Sequence, residues 1–273
     1  MTILVTGATG LVGTRLLPRL MAAGHDCRAL VRAGKPAPQG ASAASGDLLD
    51  PSTLPAALEG VSAVIHLASV FRTQDQDLIW RSNLDATRNL VTAVQDHASD
   101  ARLILASTGR VYESQEPRQR PAKEDDPLDP TPAYPASKVA AEQVVRDSGL
   151  NWAIIRFPFV YGDGDGHLEA IPAHAAAILR HPASRMSTIH HRDIANAMTL
   201  ALDGAMDRRV VNIADDVPVS MLELCALAGG TLEDSAEPLN DPWAGQCDTS
   251  LARSLGFKAT VRTIYQAAQE GLF

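Results

Sequence analysis

The chain opens on a short apolar run, Thr2-Ile3-Leu4-Val5-Thr6, that passes directly into Gly7-Ala8-Thr9-Gly10-Leu11-Val12-Gly13. No other stretch limits the fold as strongly. An amphipathic segment follows, with Leu11, Leu16, Leu17, Leu20 and Met21 on or near one stripe. Strand, tight glycine turn and helix are the unit this pattern predicts. Each glycine has a task in it. Gly7 lets the chain turn sharply, Gly10 lets the backbone approach a pyrophosphate, and Gly13 lets the helix pack close to its strand. The helix N-terminus adds free N–H groups and a positive dipole end for an anion. The spacing is GxxGxxG rather than the commoner GxGxxG, and such glycines can serve packing alone. Their place directly behind the first strand turns the reading toward a dinucleotide, with Gly7, Thr9, Gly10, Leu11, Val12 and Gly13 as its candidate contacts.

The remaining pattern repeats this unit. Strands are predicted over 26–31, near 41–44, and over 61–68, 101–106, 152–157 and 209–213. Helices are predicted near 52–59, over 76–97 and 134–147, and near 169–180, 193–202, 220–228 and 261–269. The stretch 113–132 holds five prolines and many charges, so it reads as a loop, functional or mobile. Strands alternating with helices predict an α/β fold, a doubly wound parallel sheet covered on both faces. The 273 residues accommodate one large domain, or one domain with a small appendage.

The second strand ends at Val31, followed by Arg32, with Lys35 nearby. In a doubly wound fold this is where the adenosine ribose lies, and an NAD user normally has Asp or Glu there. A guanidinium instead binds a 2′-phosphate with two parallel bonds. Arg32 therefore favours NADP over NAD; the plain alternative is a solvated arginine at a loop start. The formal net charge of −8 argues against nucleic acid or an anionic membrane as partner, leaving a small-molecule substrate. Three scattered cysteines, Cys27, Cys225 and Cys247, fit a reducing compartment without a disulfide framework. The first strand has no basic and apolar leader before it, and no run reaches membrane-spanning length, so the cytoplasm is expected.

Tyr134-Pro135-Ala136-Ser137-Lys138 places a phenol and an ammonium at i and i+4, on one helix face. A neighbouring ammonium favours the phenolate, so Lys138 is expected to lower the Tyr134 pKa. Such a tyrosine can exchange a proton with an alcohol or carbonyl. Thr108, at the end of the preceding strand, can hydrogen-bond the same oxygen. YxxxK alone is a common accident; its coupling to the N-terminal glycine turn is what makes it informative. No metal site is expected, since there is no CxxC and His190-His191 would point to opposite faces of an extended segment.

With these residues in hand, the chain resembles the extended short-chain dehydrogenase/reductase family, in its NAD-dependent epimerase/dehydratase branch. The likeness rests on Thr6–Gly13, Gly46-Asp47-Leu48, His66-Leu67-Ala68, Asn83, Ser107–Tyr112, Tyr134–Lys138 and Arg156–Gly162. It implies a Rossmann-type sheet with a small C-terminal substrate-binding part, divided near 1–165 and 166–273. It implies a catalytic set of Thr108, Tyr134 and Lys138. Asp47 and Leu48 would face the adenine, and Leu67, Ala68 and Ser69 would line the middle of the cofactor. Lys138 would also hold the nicotinamide ribose, with Tyr134 and Pro158 beside the nicotinamide. His190 and Asp193 match a His-x-x-Asp element, for which an N-cap role of Asp193 is an equal alternative.

The departures narrow the chemistry. Sugar-nucleotide dehydratases of the family carry an Asp-Glu pair just after the catalytic Thr; here Gly109 and Arg110 stand there, without the groups that eliminate water. Glu113 replaces the usual Gly after Val-Tyr. The segment from Gly162 to His190 is short for a nucleotide-sugar grip, which favours a smaller substrate. The expected activity is hydride transfer between a nicotinamide and a secondary alcohol or carbonyl of a small, sugar-like substrate. An epimerase using NAD transiently is the second reading, and a non-catalytic NADP(H) sensor the third. The helices of 76–97 and 134–147 are the usual dimer face of relatives, so a homodimer is implied.

Overall fold

The computed structural model describes residues 1–114 and 116–273. The first half runs β1 (Thr2–Thr6), α1 (Gly13–Ala22), β2 (Asp26–Val31), β3 (Ser42–Ser45), α2 (Pro55–Leu58), β4 (Ala63–His66), α3 (Gln76–Trp80), α4 (Ala86–His97) and β5 (Arg102–Thr108). The second half continues with α5 (Ala133–Arg146), β6 (Asn151–Phe157), β7 (Phe159–Tyr161), α6 (Ile171–Ala177), β8 (Arg185–Met186) and β9 (Thr188–His190). It closes with α7 (His191–Leu202), β10 (Arg209–Asn212), β11 (Val219–Ser220), α8 (Met221–Leu227), α9 (Ser250–Ser254) and α10 (Ile264–Gln269).

Seven strands form one sheet in the order β10-β6-β5-β4-β1-β2-β3, and every neighbouring pair is parallel. Successive strand residues point to opposite faces. Ile3, Val5, Ile65, Ile104 and Ile155 pack against Leu16, Leu17 and Leu20 of α1 and Ile194 and Met198 of α7. Leu4, Val64, Leu103, Leu105 and Ile154 pack against Leu90, Val91 and Val94 of α4 and Val145 of α5. Two-sided burial explains the unbroken apolar runs. Each such side chain contributes about 1.5–3 kcal/mol by leaving water. The strand order reverses between β1 and β4, which opens a crevice at the carboxyl ends of the strands, where doubly wound sheets bind ligands.

The C-terminal part adds its own small core of Tyr161, Leu168, Ile171, Val219, Met221, Leu224, Val261 and Ile264. It contains two two-stranded pairings, β7 with β9 and β8 with β11. These strands are two or three residues long, too short to leave a period in the sequence. Among the described residues, no helix is long and apolar enough to cross a membrane.

Several expected elements change on inspection. The predicted helix 52–59 splits into a 3-10 turn, Pro51–Thr53, and α2. Pro55 has no N–H to continue the first turn, so it starts a second. The predicted helix 169–180 ends at Ala177, and Leu179 turns the chain out at φ +50°. The helix 76–97 is continuous, but Arg81–Asp85 within it is a π turn. Position 115 of the proline-rich loop lies outside the described residues; at Ala122 the loop is fully buried and tied to Gln246 and Asp248 by backbone bonds of 3.0 and 2.8 Å. Asp193 is not an N-cap. His190 caps α7 by accepting from the Arg192 N–H at 3.1 Å. Asp193 lies inside the helix, fully buried, and accepts from Thr260 and Val261, fastening α7 to the C-terminal segment.

Candidate active site

The glycine turn is built by close approach. A Cβ on Gly13 would stand 2.4 Å from the Gly7 carbonyl oxygen, so only glycine lets α1 lie this near β1. Gly7 takes φ +66°, and a Cβ there would meet the Ala68 nitrogen at 2.6 Å, so the ends of β1 and β4 touch. The Gly10 N–H donates to the Gly7 carbonyl at 2.9 Å. The N–H groups of Leu11 and Val12 meet no acceptor among the described residues, at the amino end of α1. Unpaired donors at a helix N-terminus suit a pyrophosphate, so the residues present fit a dinucleotide.

The other predicted cofactor contacts lie along the same sheet edge. Arg32 follows β2 and is exposed. Asp47 and Leu48 follow β3 and are half-buried; the Asp47 carboxylate accepts from the Leu49 N–H at 2.9 Å. The Leu48 carbonyl accepts from Asn89 of α4 at 2.8 Å. Leu67, Ala68 and Ser69 follow β4, and Pro158 follows β6. Thr108 ends β5 opposite Phe157.

The π turn between α3 and α4 has a consequence the sequence motif did not disclose. Asn83, fully buried within it, accepts from the Ser69 hydroxyl at 3.0 Å and the Val70 N–H at 2.8 Å. It donates to the Val70 carbonyl at 2.9 Å and to Ser137 of α5 at 3.0 Å. The amide's capacity is thereby filled, and the loop after β4 is fixed to the helix carrying Tyr134 and Lys138. His66 is likewise a fastener: its ring nitrogens meet Thr6 at 2.6 Å and Thr87 at 3.0 Å. Burial, aided by the Lys138 charge, pulls its pKa down to about 3, so it stays neutral.

Tyr134 and Lys138 share one face of α5, as their spacing predicts. Tyr134 is half-buried, with the Phe71 ring against its own at 5.3 Å between centroids. Its pKa corrects the expectation. Burial pushes it above the ordinary value, against the opposing pull of Thr108, the Arg110 charge and Ser69. The Lys138 ammonium, 2% exposed, donates to the Ala106 carbonyl at 2.8 Å. Burial lowers its pKa to about 8, with the Glu142 charge acting in the other direction.

Behind this pair lies a buried ionic network. Arg156 of β6 meets Glu142 of α5 through two bonds, 3.0 and 2.6 Å, and donates to the Tyr112 hydroxyl at 2.6 Å. Ser107 of β5 donates to Glu142 at 2.6 Å, and Tyr112 donates to Asn212 of β10 at 2.8 Å. The sequence motif contained Arg156 and Tyr112 but gave no sign of these partners, which lie far apart along the chain.

A family model described as the NAD dependent epimerase/dehydratase family matches residues 3–214. The chain belongs to this family. A ketoreductase of Stigmatella aurantiaca, named for 4-hydroxy-2-methyl-3-oxo-4-farnesyl-3,4-dihydroquinoline-1-oxide, is 28% identical over 92% of this chain and 79% of its own. The D-erythronate dehydrogenase of Cupriavidus necator is 27% identical over 95% of this chain and 94% of its own. Among solved structures, a short-chain dehydrogenase/reductase superfamily protein from Agrobacterium tumefaciens with bound NAD superposes with a TM-score of 0.80. That pair is 25% identical and covers 99% of this chain and 95% of the other. This family member is an enzyme of the NAD-dependent oxidoreductase or epimerase type, using a nicotinamide cofactor.

Proposed function

We propose that the protein catalyses net hydride transfer between NADP(H) and a secondary alcohol or carbonyl of a small substrate. Tyr134 acts as acid/base, Thr108 orients the reacting oxygen, and Lys138 supplies positive charge one helical turn away. The observation that carries this reading is the placement of Tyr134 and Lys138 on one face of α5, whose Ser137 is joined through Asn83 to Ser69 in the loop after β4, at the strand edge that also holds the glycine turn. The bound nicotinamide supplies or accepts the hydride. In reduction, Tyr134 donates its proton to the substrate oxygen while the Thr108 hydroxyl hydrogen-bonds that oxygen. Lys138, protonated at neutral pH, stabilises the phenolate left behind. Burial keeps Tyr134 protonated beforehand, the form a reductase needs.

Leu11, Val12 and the glycines are read as the pyrophosphate cradle, Arg32 as the 2′-phosphate ligand, and Pro158 as a wall of the nicotinamide site. Residues 1–165 are read as the cofactor-binding and catalytic region, and 166–273 as the reduced substrate part. Both curated relatives above bear the names of net redox enzymes, which supports an oxidoreductase over an epimerase. The decisive experiment is Tyr134→Phe, which removes the ionisable oxygen and keeps the ring. Turnover, followed by NADPH absorbance on a panel of aldoses, uronates, ketones and aldehydes, should fall by about 10²–10⁴-fold. Folding and NADPH binding should persist. Full activity in this variant would remove Tyr134 from the mechanism. A substrate converted without NADPH consumption would point to the epimerase instead.

A further inference from the structure

At the mouth of the site two arginines flank two aromatic rings. Phe71, in the loop after β4, is 44% exposed and leans on the Tyr134 ring, with centroids 5.3 Å apart and planes tilted by 41°. The Arg72 guanidinium lies over Phe71, 5.0 Å from its centroid. The Arg110 guanidinium lies over Tyr134, 5.8 Å from its centroid. The stack carries positive charge at both ends, in a chain whose net charge is −8. Arg110 follows Thr108 by two residues, and its backbone N–H donates to the Thr108 hydroxyl at 3.2 Å.

The Arg110 fork already grips a carboxylate. Its Nε and Nη2 pair with the two oxygens of Glu113, three residues on, the second contact at 3.1 Å. Both partners are exposed, and pairs of that kind contribute little to stability. An incoming carboxylate can therefore take the place of Glu113 at small cost, with the planar two-oxygen geometry that suits a guanidinium.

We propose that Arg110, against the Tyr134 ring, is a carboxylate-binding site that selects hydroxy or oxo acids as substrates, with Glu113 as its exchangeable internal occupant. This rests on the reading of Tyr134 as acid/base toward the same substrate, since Arg110 lies against that ring.

The test uses the full chain saturated with NADPH, with cofactor binding first established by nicotinamide fluorescence. Matched pairs are then titrated calorimetrically: gluconate against sorbitol, glucuronate against glucose, 3-hydroxybutyrate against 1,3-butanediol. At least one acid should bind more tightly than its neutral partner. Arg110→Gln should weaken that acid by about ten- to hundredfold, as expected for lost charge-assisted bonds, and leave NADPH affinity unchanged. Arg110→Lys should restore part of the loss. Glu113→Gln should tighten the acid by up to about fivefold, because the competitor is gone; a purely structural ion pair would give no such gain. Binding of no acid, equal binding of acid and neutral partner, tighter binding of a sugar phosphate than of the matching acid, or an Arg110→Gln variant that keeps full affinity would each overturn the proposal. With NADPH still bound and Tyr134→Phe still impaired, those results leave the functional reading standing. Failure of NADPH to bind at the outset would overturn that reading, and this proposal with it.

Discussion

The Lys138 ammonium is pulled toward neutrality by burial and held toward charge by Glu142, and the balance puts its pKa at about 8. Tyr134 is pushed above its ordinary value, so it keeps its proton through that range. These two directions fix the sign of the pH response. In reduction, kcat/KM should hold at neutral pH and fall as pH rises through about 8, where Lys138 loses the charge that stabilises the phenolate. Oxidation needs the phenolate, so its rate should rise with pH. A reductive profile that stays flat from about pH 6 to about 10 would contradict this assignment of the limb. Arg32 offers a second single-residue test. Exposed at the end of β2, it brings a guanidinium where a carboxylate would select NAD. NADPH should bind more tightly than NADH, by about ten- to hundredfold if two charge-assisted bonds form. Arg32→Asp should reverse the order. Equal or stronger NADH binding by the parent in a fluorescence titration would show that Arg32 is only a solvated side chain.

Glu142 and Arg156 tie helix α5 to strand β6, and Ser107 brings β5 into the same joint. The Arg156 side chain is fully buried, so Glu142→Gln would leave its charge without a counterion. The expected loss is about 3–5 kcal/mol of stability, read from urea unfolding of the parent and the variant. A change within about 0.5 kcal/mol would mean the joint is idle. This joint also marks how far the sequence could be read. The glycine turn, the apolar strands and the i, i+4 pair of Tyr134 and Lys138 were legible because each is a local pattern. The partners of Glu142, the four contacts of Asn83 and the π turn that presents them were not, because they join residues far apart in the chain. The same limit produced the error over Tyr134. Spacing showed a nearby ammonium, but only the packed structure shows that Lys138 faces the Ala106 carbonyl and that burial outweighs the charges around the phenol.

Helices α3, α4 and α5 pack together along one side of the molecule, and α3 leaves Leu78 39% and Trp80 37% exposed there. The exposed Trp80 indole, at the end of α3, favours a covered surface. We propose that this side meets its own copy about a two-fold axis, so that each helix contacts its counterpart. A stable interface of this kind needs about 800 Å² from each partner, more than α3 alone presents, so α4 and α5 must take part. Each copy carries a net charge of −8, so association brings like charges together and moderate salt should strengthen the dimer by screening. Light scattering at micromolar concentration should give twice the chain mass of 29.0 kDa. Trp80→Glu places a charge in the covered patch and should yield monomers. Trp80 is not among the residues read as cofactor contacts, so NADPH binding should survive the substitution. A parent that scatters as a monomer at every salt concentration would sink the proposal, and a Trp80→Glu variant that stays dimeric would move the interface to another face of the molecule.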